Sequence, residues 1–120
     1  MIHPPFASEP YCYLTTTGRR TGKPHTIEIW FGLDGDTLYM LAGGRDRSDW
    51  VRNLMRHAEV TVLIADSSYG GTARLVLPDS DEDGLARRLL LEKYTARSGG
   101  DLTNWGRTAL PVAVNLQVEG

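Results

Sequence analysis

The chain is poor in the features that mark secreted, membrane-spanning and metal-binding proteins. It contains a single cysteine, Cys12, so no internal disulfide can form. No Cys/His cluster has the spacing of a structural metal site. No apolar run approaches the roughly 20 residues that a bilayer-spanning helix needs. The first residues have neither the basic segment nor the apolar segment of a secretory signal. These absences predict a cytoplasmic protein in a reducing compartment.

The chain also lacks a strong excess of charge of either sign. Its 13 lysines and arginines and 15 acidic residues give a formal net charge of -2. Because proteins built to bind nucleic acid usually have a basic balance, this class is the weakest hypothesis, although local basic patches keep it open. With 41% hydrophobic residues among 120, the chain can bury one core. A single domain over residues 1–120 is therefore predicted.

Alternation of apolar and polar residues predicts a mainly β structure. The predicted strands cover residues 11–17, 26–33, 37–42, 59–65, 72–77 and 110–118, the last of them half-buried. Glycine and proline mark the connections at 18–24, at the Asp-Gly pair of 34–36, at 43–44 and at 70–71. Residues 1–10 hold three of the six prolines and are predicted to form an extended lead-in.

Two helices are predicted between these strands. Ser48 can cap a short helix that runs to about His57, with Trp50 and Leu54 near one face. Residues 80–83 open a second helix with a serine N-cap and an acidic first turn, and it should end by residues 98–100. Strand 37–42 is apolar on both faces, so a helix or a second subunit should cover it. The pattern predicts an α+β fold, a six-stranded antiparallel barrel with two or so flanking helices.

The most basic segment is the connection 18–23, with the sequence Gly-Arg-Arg-Thr-Gly-Lys. It is not a Walker A loop, because only three residues separate its glycines and Pro24 follows the lysine. A flexible turn that carries Arg19, Arg20 and Lys23 can still direct several cations at one anion. Hairpin tips are equally often basic for solubility alone. Arg19 and Arg20 are expected to be exposed, so replacing both by alanine should leave thermal unfolding nearly unchanged.

A second basic segment, residues 45–47, precedes the first predicted helix, whose N-terminus is another natural anion site. No Ser-His-Asp order and no pair of carboxylates predicts a catalytic site. The three tryptophans, Trp30, Trp50 and Trp105, are expected in the core or an interface more often than against a ligand. The residues thus predict anion binding without acid–base catalysis.

Residues 14–24, Leu-Thr-Thr-Thr-Gly-Arg-Arg-Thr-Gly-Lys-Pro, resemble the deazaflavin-dependent nitroreductase and quinone reductase family. The resemblance continues through residues 34–36, 42–44, 50–54 and 107–112, and covers about residues 13–118. It implies a split β-barrel like that of FMN-binding and pyridoxamine-phosphate-oxidase proteins, commonly a homodimer. It also implies coenzyme F420, a deazaflavin with a phosphate and an oligoglutamate tail, which suits the basic loops.

Carried over position by position, the resemblance implies two coenzyme-binding segments and part of the opposite strand. These residues are Gly18, Arg19, Arg20, Thr21 and Gly22; Ala42, Gly43, Gly44, Arg45, Trp50 and Asn53; and His25 and Ile27. The implied activity is hydride transfer from the reduced coenzyme to a quinone, a nitroaromatic or an enone, with no catalytic side chain. FMN in place of F420, or a non-catalytic carrier of a flavin-like or fatty ligand, are the alternatives on the same barrel.

Overall fold

A computed structural model describes residues 4–118, with side chains from Phe6 onward. Within this range the strands are β1 (Cys12–Thr17), β2 (Pro24–Ile29), β3 (Gly32–Asp34), β4 (Thr37–Ala42), β5 (Glu59–Ile64), β6 (Ser67–Leu75) and β7 (Leu110–Leu116). The helices are α1 (Pro4–Ala7), α2 (Asp49–Arg56), α3 (Asp81–Ser98) and α4 (Thr103–Thr108), with a 3-10 turn at Arg45–Arg47. The strands form one antiparallel sheet in the order β2-β1-β5-β6-β7-β4-β3. The predicted antiparallel, mainly β architecture is confirmed, with seven strands instead of six.

The seventh strand arises because the predicted strand 26–33 is interrupted at Phe31. The Phe31 amide donates to the Tyr94 hydroxyl at 3.0 Å, and the Phe31 carbonyl accepts from Lys93 Nζ at 2.9 Å. Both partners belong to α3, so the backbone of Phe31 leaves the strand ladder with its polar groups satisfied. The prediction of one continuous strand was wrong for this reason.

The N-terminal segment was also predicted wrongly as extended throughout. Pro4–Ala7 form one helical turn, which prolines tolerate because the first amides of a helix have no partner within it. Residues 1–3 of the predicted lead-in lie outside the described range. Helix α4 was not predicted at all.

The predicted turn at residues 70–71 lies inside β6. The β5–β6 hairpin turns instead at residues 65–66, where Ala65 has a φ of 55°. A Cβ atom on Gly71 would lie 2.6 Å from Val114 Cγ1 and 3.0 Å from the Asn115 carbonyl oxygen of β7. Gly71 therefore permits close contact between β6 and β7. From the sequence alone, a glycine pair with this role cannot be distinguished from a glycine pair in a turn.

Two apolar clusters lie on opposite faces of the sheet. One face packs with Val51 and Leu54 of α2, and the other packs beneath Ala86, Leu90 and Tyr94 of α3. Strands β4 and β7 are buried on both faces, so the predicted half-burial of the last strand was wrong. Helix α3 packs over β4, so it is the helix that covers the strand predicted at residues 37–42.

Both main helices begin and end close to their predicted positions. In α3, Ser80 Oγ accepts the Asp83 amide at 3.1 Å, and Gly99 ends the helix with a φ of 69°. In α2, Ser48 is the N-cap residue without a side-chain hydrogen bond. The buried residues of α2 are Val51, Asn53 and Leu54, whereas His57 is exposed. Within residues 4–118, none of the helices has the length and apolar character needed to cross a bilayer.

Candidate functional site

A cavity of about 490 Å³ lies between the β1–β2 hairpin and α2, and we call it the hairpin cleft. It brings together eight of the predicted coenzyme-binding residues: Gly18, Arg19, Arg20, Thr21, His25, Ile27, Trp50 and Asn53. Thr16, Thr26 and Asp49 complete its lining. Its size falls within the range of roughly 300–1,000 Å³ that is usual for small-molecule sites.

The tip of the hairpin is a tight loop that depends on glycine. The Gly18 amide donates to the Lys23 carbonyl at 2.8 Å, and the Gly22 amide donates to the Gly18 carbonyl at 2.9 Å. Gly22 has a φ of 72°, which favours glycine. A Cβ atom on Gly18 would lie only 2.7 Å from His25 Nε2. The imidazole therefore packs directly over the Gly18 backbone at the wall of the cleft.

Arg19 is tied to α2 by three hydrogen bonds. Its backbone amide and its Nη1 donate to Asn53 Oδ1 at 3.2 and 2.9 Å, and its Nη2 donates to Asp49 Oδ1 at 3.2 Å. Asn53 in turn donates from Nδ2 to Thr16 Oγ1 at 3.2 Å, and both residues are buried. The expectation of an exposed Arg19 was wrong, since its side chain is only 24% exposed.

Arg20 differs sharply from its neighbour. It is exposed, and its side chain has no hydrogen bond or ion pair to any residue of the described range 4–118. Its guanidinium group is a free cation at the wall of the hairpin cleft. Such a group can form charge-assisted hydrogen bonds to a phosphate or a carboxylate.

The remaining predicted residues lie outside the hairpin cleft. Gly43, Gly44 and Arg45 line a separate cavity of about 460 Å³ together with Asp46 and Arg47. Arg45 has a φ of 53°, and its guanidinium donates to the Thr108 carbonyl. Ala42 is buried in the core, and Gly22 lies at the exposed tip of the hairpin. Of the predicted positions, eight thus line the hairpin cleft, three line the second cavity, and Ala42 and Gly22 line neither.

A third cavity, of about 500 Å³, was not predicted from the sequence, and we call it the tryptophan cavity. It is lined by Glu28, Ile29, Trp30, Leu41, Leu102 and Trp105. Trp30 stacks on Tyr94 with ring centroids 4.3 Å apart, and contacts Trp105 edge to face at 5.6 Å. These contacts hold the two indoles at a right angle to each other as aromatic walls of the cavity. Two of the tryptophans expected in the core therefore line a cavity.

The Cys12 thiol is no candidate nucleophile. Its side chain is fully buried, and burial raises the pKa of the thiol to about 12. Because the reactive form is the thiolate, the group is inert at neutral pH. Cys12 is a small residue of the core.

Comparison with known proteins decides between the alternatives left by the sequence. A family model described as F420H(2)-dependent quinone reductase matches residues 2–117. The chain belongs to this family. It is accordingly an F420H2-dependent reductase, and F420 is its coenzyme. The resemblance noted in the sequence is confirmed.

Solved structures share the fold of this quinone reductase family member. HutZ, the heme storage protein of Vibrio cholerae, is 14% identical over 96% of this chain and 87% of its own, with a TM-score of 0.77. An F420-H2 dependent reductase is 23% identical over 90% and 94%, with a TM-score of 0.68. A structure described as a domain-swapped dimer is 23% identical over 88% and 79%, with a TM-score of 0.70. The fold is the split barrel.

The residues of the hairpin cleft fit the coenzyme of this family. F420 carries a phosphate and carboxylates, and the cleft offers the free Arg20 guanidinium and the oriented Arg19 guanidinium within one cavity. The absence of a side chain at Gly18 lets the His25 imidazole lie against the hairpin backbone, where it lines the cleft beside the arginines. The cleft therefore has charge, donors and space suited to an anionic ligand.

Proposed function

We propose that the hairpin cleft binds the anionic part of F420 and that the tryptophan cavity receives a planar, electron-poor acceptor. The observation that carries this proposal is the course of β2. Ile27 lines the hairpin cleft, and the next residue, Glu28, lines the tryptophan cavity. Ile29, which lies on the same face of β2 as Ile27, also lines the tryptophan cavity, so the two cavities are neighbours along one face of this edge strand.

In the hairpin cleft, binding falls mainly to the cationic side chains. Arg20 is free to pair with a phosphate or carboxylate, and Thr21 and His25 offer polar atoms beside it. Asn53 is a positioning residue, because its buried amide holds Arg19 against α2. When bound, the reduced deazaflavin supplies the hydride, so the chain itself needs no acid–base pair for that step.

In the tryptophan cavity, the aromatic wall orients the acceptor and excludes water. Trp30 is held parallel to Tyr94, and Trp105 stands at 89° to Trp30, so both indoles have little freedom to turn. Flat apolar walls favour planar aromatic or conjugated molecules through stacking. A quinone, a nitroaromatic or an enone matches this description.

The acceptor site is tested by following the oxidation of F420H2 with menadione, a nitroaromatic and an enone. We expect turnover with at least one of them, and Trp105→Leu should raise the KM for that acceptor several-fold while coenzyme affinity stays within about twofold. A thermal melt of the variant checks that the fold is intact. Turnover with none of the acceptors, or a variant that loses coenzyme affinity but keeps its acceptor KM, would contradict the proposal.

We further propose that residues 1–120 act as one coenzyme-binding domain and that the protein forms a homodimer. The described residues share one sheet with a core on each face. Since α3 already covers β4, the dimer must use another surface, and the relative described as a domain-swapped dimer shows that this fold can associate. Light scattering should report about twice 13.3 kDa; a 13.3 kDa particle at working concentration would exclude the dimer.

A further inference from the structure

An acidic side chain lies in the hairpin cleft among the cations. Asp49 is the first residue of α2, and its Oδ1 lies 3.2 Å from Arg19 Nη2. The Asp49 side chain is 86% exposed, whereas that of Arg19 is 24% exposed. Because the coenzyme is anionic, a carboxylate in this position opposes its binding.

The carboxylate takes a position that suits a ligand anion. Asn53 holds the other end of the Arg19 guanidinium through Nη1, so Nη2 is the part directed at Asp49. The start of a helix also favours negative charge, and Asp49 lies in the first turn of α2. The Arg19 guanidinium and the N-terminus of α2 therefore both attract the same anionic group, which in this structure is the Asp49 carboxylate.

We propose that Asp49 competes with the anionic group of the ligand for Arg19 and thereby sets the affinity of the cleft for anionic ligands. This inference rests on the proposed role of the hairpin cleft. Asp49 can leave easily, since an exposed side chain gives up a weak, solvent-screened ion pair when it rotates away. A phosphate or carboxylate of the ligand can accept the same charge-assisted hydrogen bond from the guanidinium and displaces the Asp49 carboxylate.

The direct test is Asp49→Asn, which removes the charge and keeps the size of the side chain. We expect the variant to bind F420 about threefold to tenfold more tightly, the effect of removing a modest ion pair. The deazaflavin ring compound without phosphate and glutamates should bind the variant with an affinity within about twofold of the wild-type affinity, because it lacks the phosphate and carboxylates that compete with Asp49. Unchanged or weaker F420 binding by the variant would overturn the proposal.

Asp66→Asn is the matched control for the change in net charge. Asp66 is exposed in the β5–β6 turn, next to the end of β1 opposite the hairpin cleft, since Leu63 pairs with Tyr13 while Pro24 pairs with Thr17. F420 affinity should change less than about twofold, because surface charges beyond a Debye length are screened. An equal gain in both variants would show a general charge effect and overturn the proposal.

The route through Arg19 is tested by repeating Asp49→Asn in an Arg19→Ala background. If Asp49 acts by occupying Arg19, the gain should fall below about twofold, as expected for coupled residues. A gain that persists would contradict this route.

A pyrophosphate titration followed by NMR separates this proposal from the assignment of the coenzyme site. If the wild type fails to bind F420, the proposed function of the cleft fails. Tighter pyrophosphate binding by Asp49→Asn than by the wild type would still support competition at Arg19. Equal affinity, or binding by neither protein, would overturn it.

Discussion

At the residue scale, the adjacent arginines of the hairpin have different functions. Arg19 donates a hydrogen bond to the buried Asn53, whereas the Arg20 side chain has no hydrogen bond or ion pair within residues 4–118. Arg19→Ala should lower the free energy of unfolding by about 1–2 kcal/mol, because a hydrogen bond to a partly buried amide is lost. Arg20→Ala should change it by less than about 0.5 kcal/mol. Urea denaturation measures both; equal effects would show that the Asn53 contact does not stabilise the fold.

The sequence could not separate these arginines. Both are long cations in one glycine-flanked turn, and the local pattern treats them alike. Asn53 is 34 residues away, so its contact with Arg19 depends on how α2 packs against β1. The family resemblance identified Asn53 as a coenzyme-binding position, but it did not predict the hydrogen bond from Arg19.

Glu82, at the start of α3, accepts hydrogen bonds from two side chains of the sheet. Arg74 donates to both of its carboxylate oxygens at 2.6 Å, and Tyr39 donates to Oε2 at 2.7 Å. Arg74 and then Tyr39 lower the pKa of Glu82 from 4.5 to about 2. Because the folded-state pKa is lowered, the stabilisation is complete above the unfolded pKa and is lost as pH falls.

Glu82→Gln should therefore be less stable than the wild type at pH 7. The difference in melting temperature should narrow as pH falls through the window from about 4.5 to about 2. Thermal melts of both proteins at pH 7, 4 and 3 measure this change. A difference that stays constant down to pH 3 would argue that the carboxylate contributes no pH-dependent stability.

At the element scale, the contact between β6 and β7 depends on one glycine of the 70–71 pair. Gly71→Ala would place a methyl group 2.6 Å from Val114 Cγ1 and 3.0 Å from backbone, and should destabilise the protein by about 1–3 kcal/mol. Gly70→Ala is the matched control, since the nearest atom is the end of the Gln117 side chain at 3.3 Å. Chemical denaturation should show a clear loss of unfolding free energy for Gly71→Ala only. Similar losses in both variants would contradict the role assigned to the close contact at Gly71.

Elements with local determinants were predictable. Helix α3 has its N-cap serine, its acidic first turn and its terminal glycine within the segment itself, and it was predicted almost to the residue. The break at Phe31 was not predictable, because Tyr94, which accepts its amide, is 63 residues away. The alternation of apolar and polar residues therefore predicted the strand, but it could not predict that Tyr94 interrupts it.

At the scale of the whole molecule, the sheet places two neighbouring cavities along β2. The hairpin cleft was largely predictable, because its basic turn is contiguous in sequence and its α2 residues belong to the family pattern. The tryptophan cavity was not, since Leu41, Leu102 and Trp105 come together only when α4 and β4 pack near the end of β2. A cavity built from three separate segments has no pattern of its own in the sequence.

The role of the hairpin cleft is tested most directly by the affinity of F420 for the wild type and for Arg20→Ala. Loss of a charge-assisted hydrogen bond in the hairpin cleft should weaken binding by about tenfold or more, while the melting temperature stays unchanged. Fluorescence titration of both proteins with the oxidised coenzyme gives the two dissociation constants. We expect saturable binding by the wild type and clearly weaker binding by the variant. Equal affinities, or no binding by the wild type, would contradict a coenzyme site in the hairpin cleft.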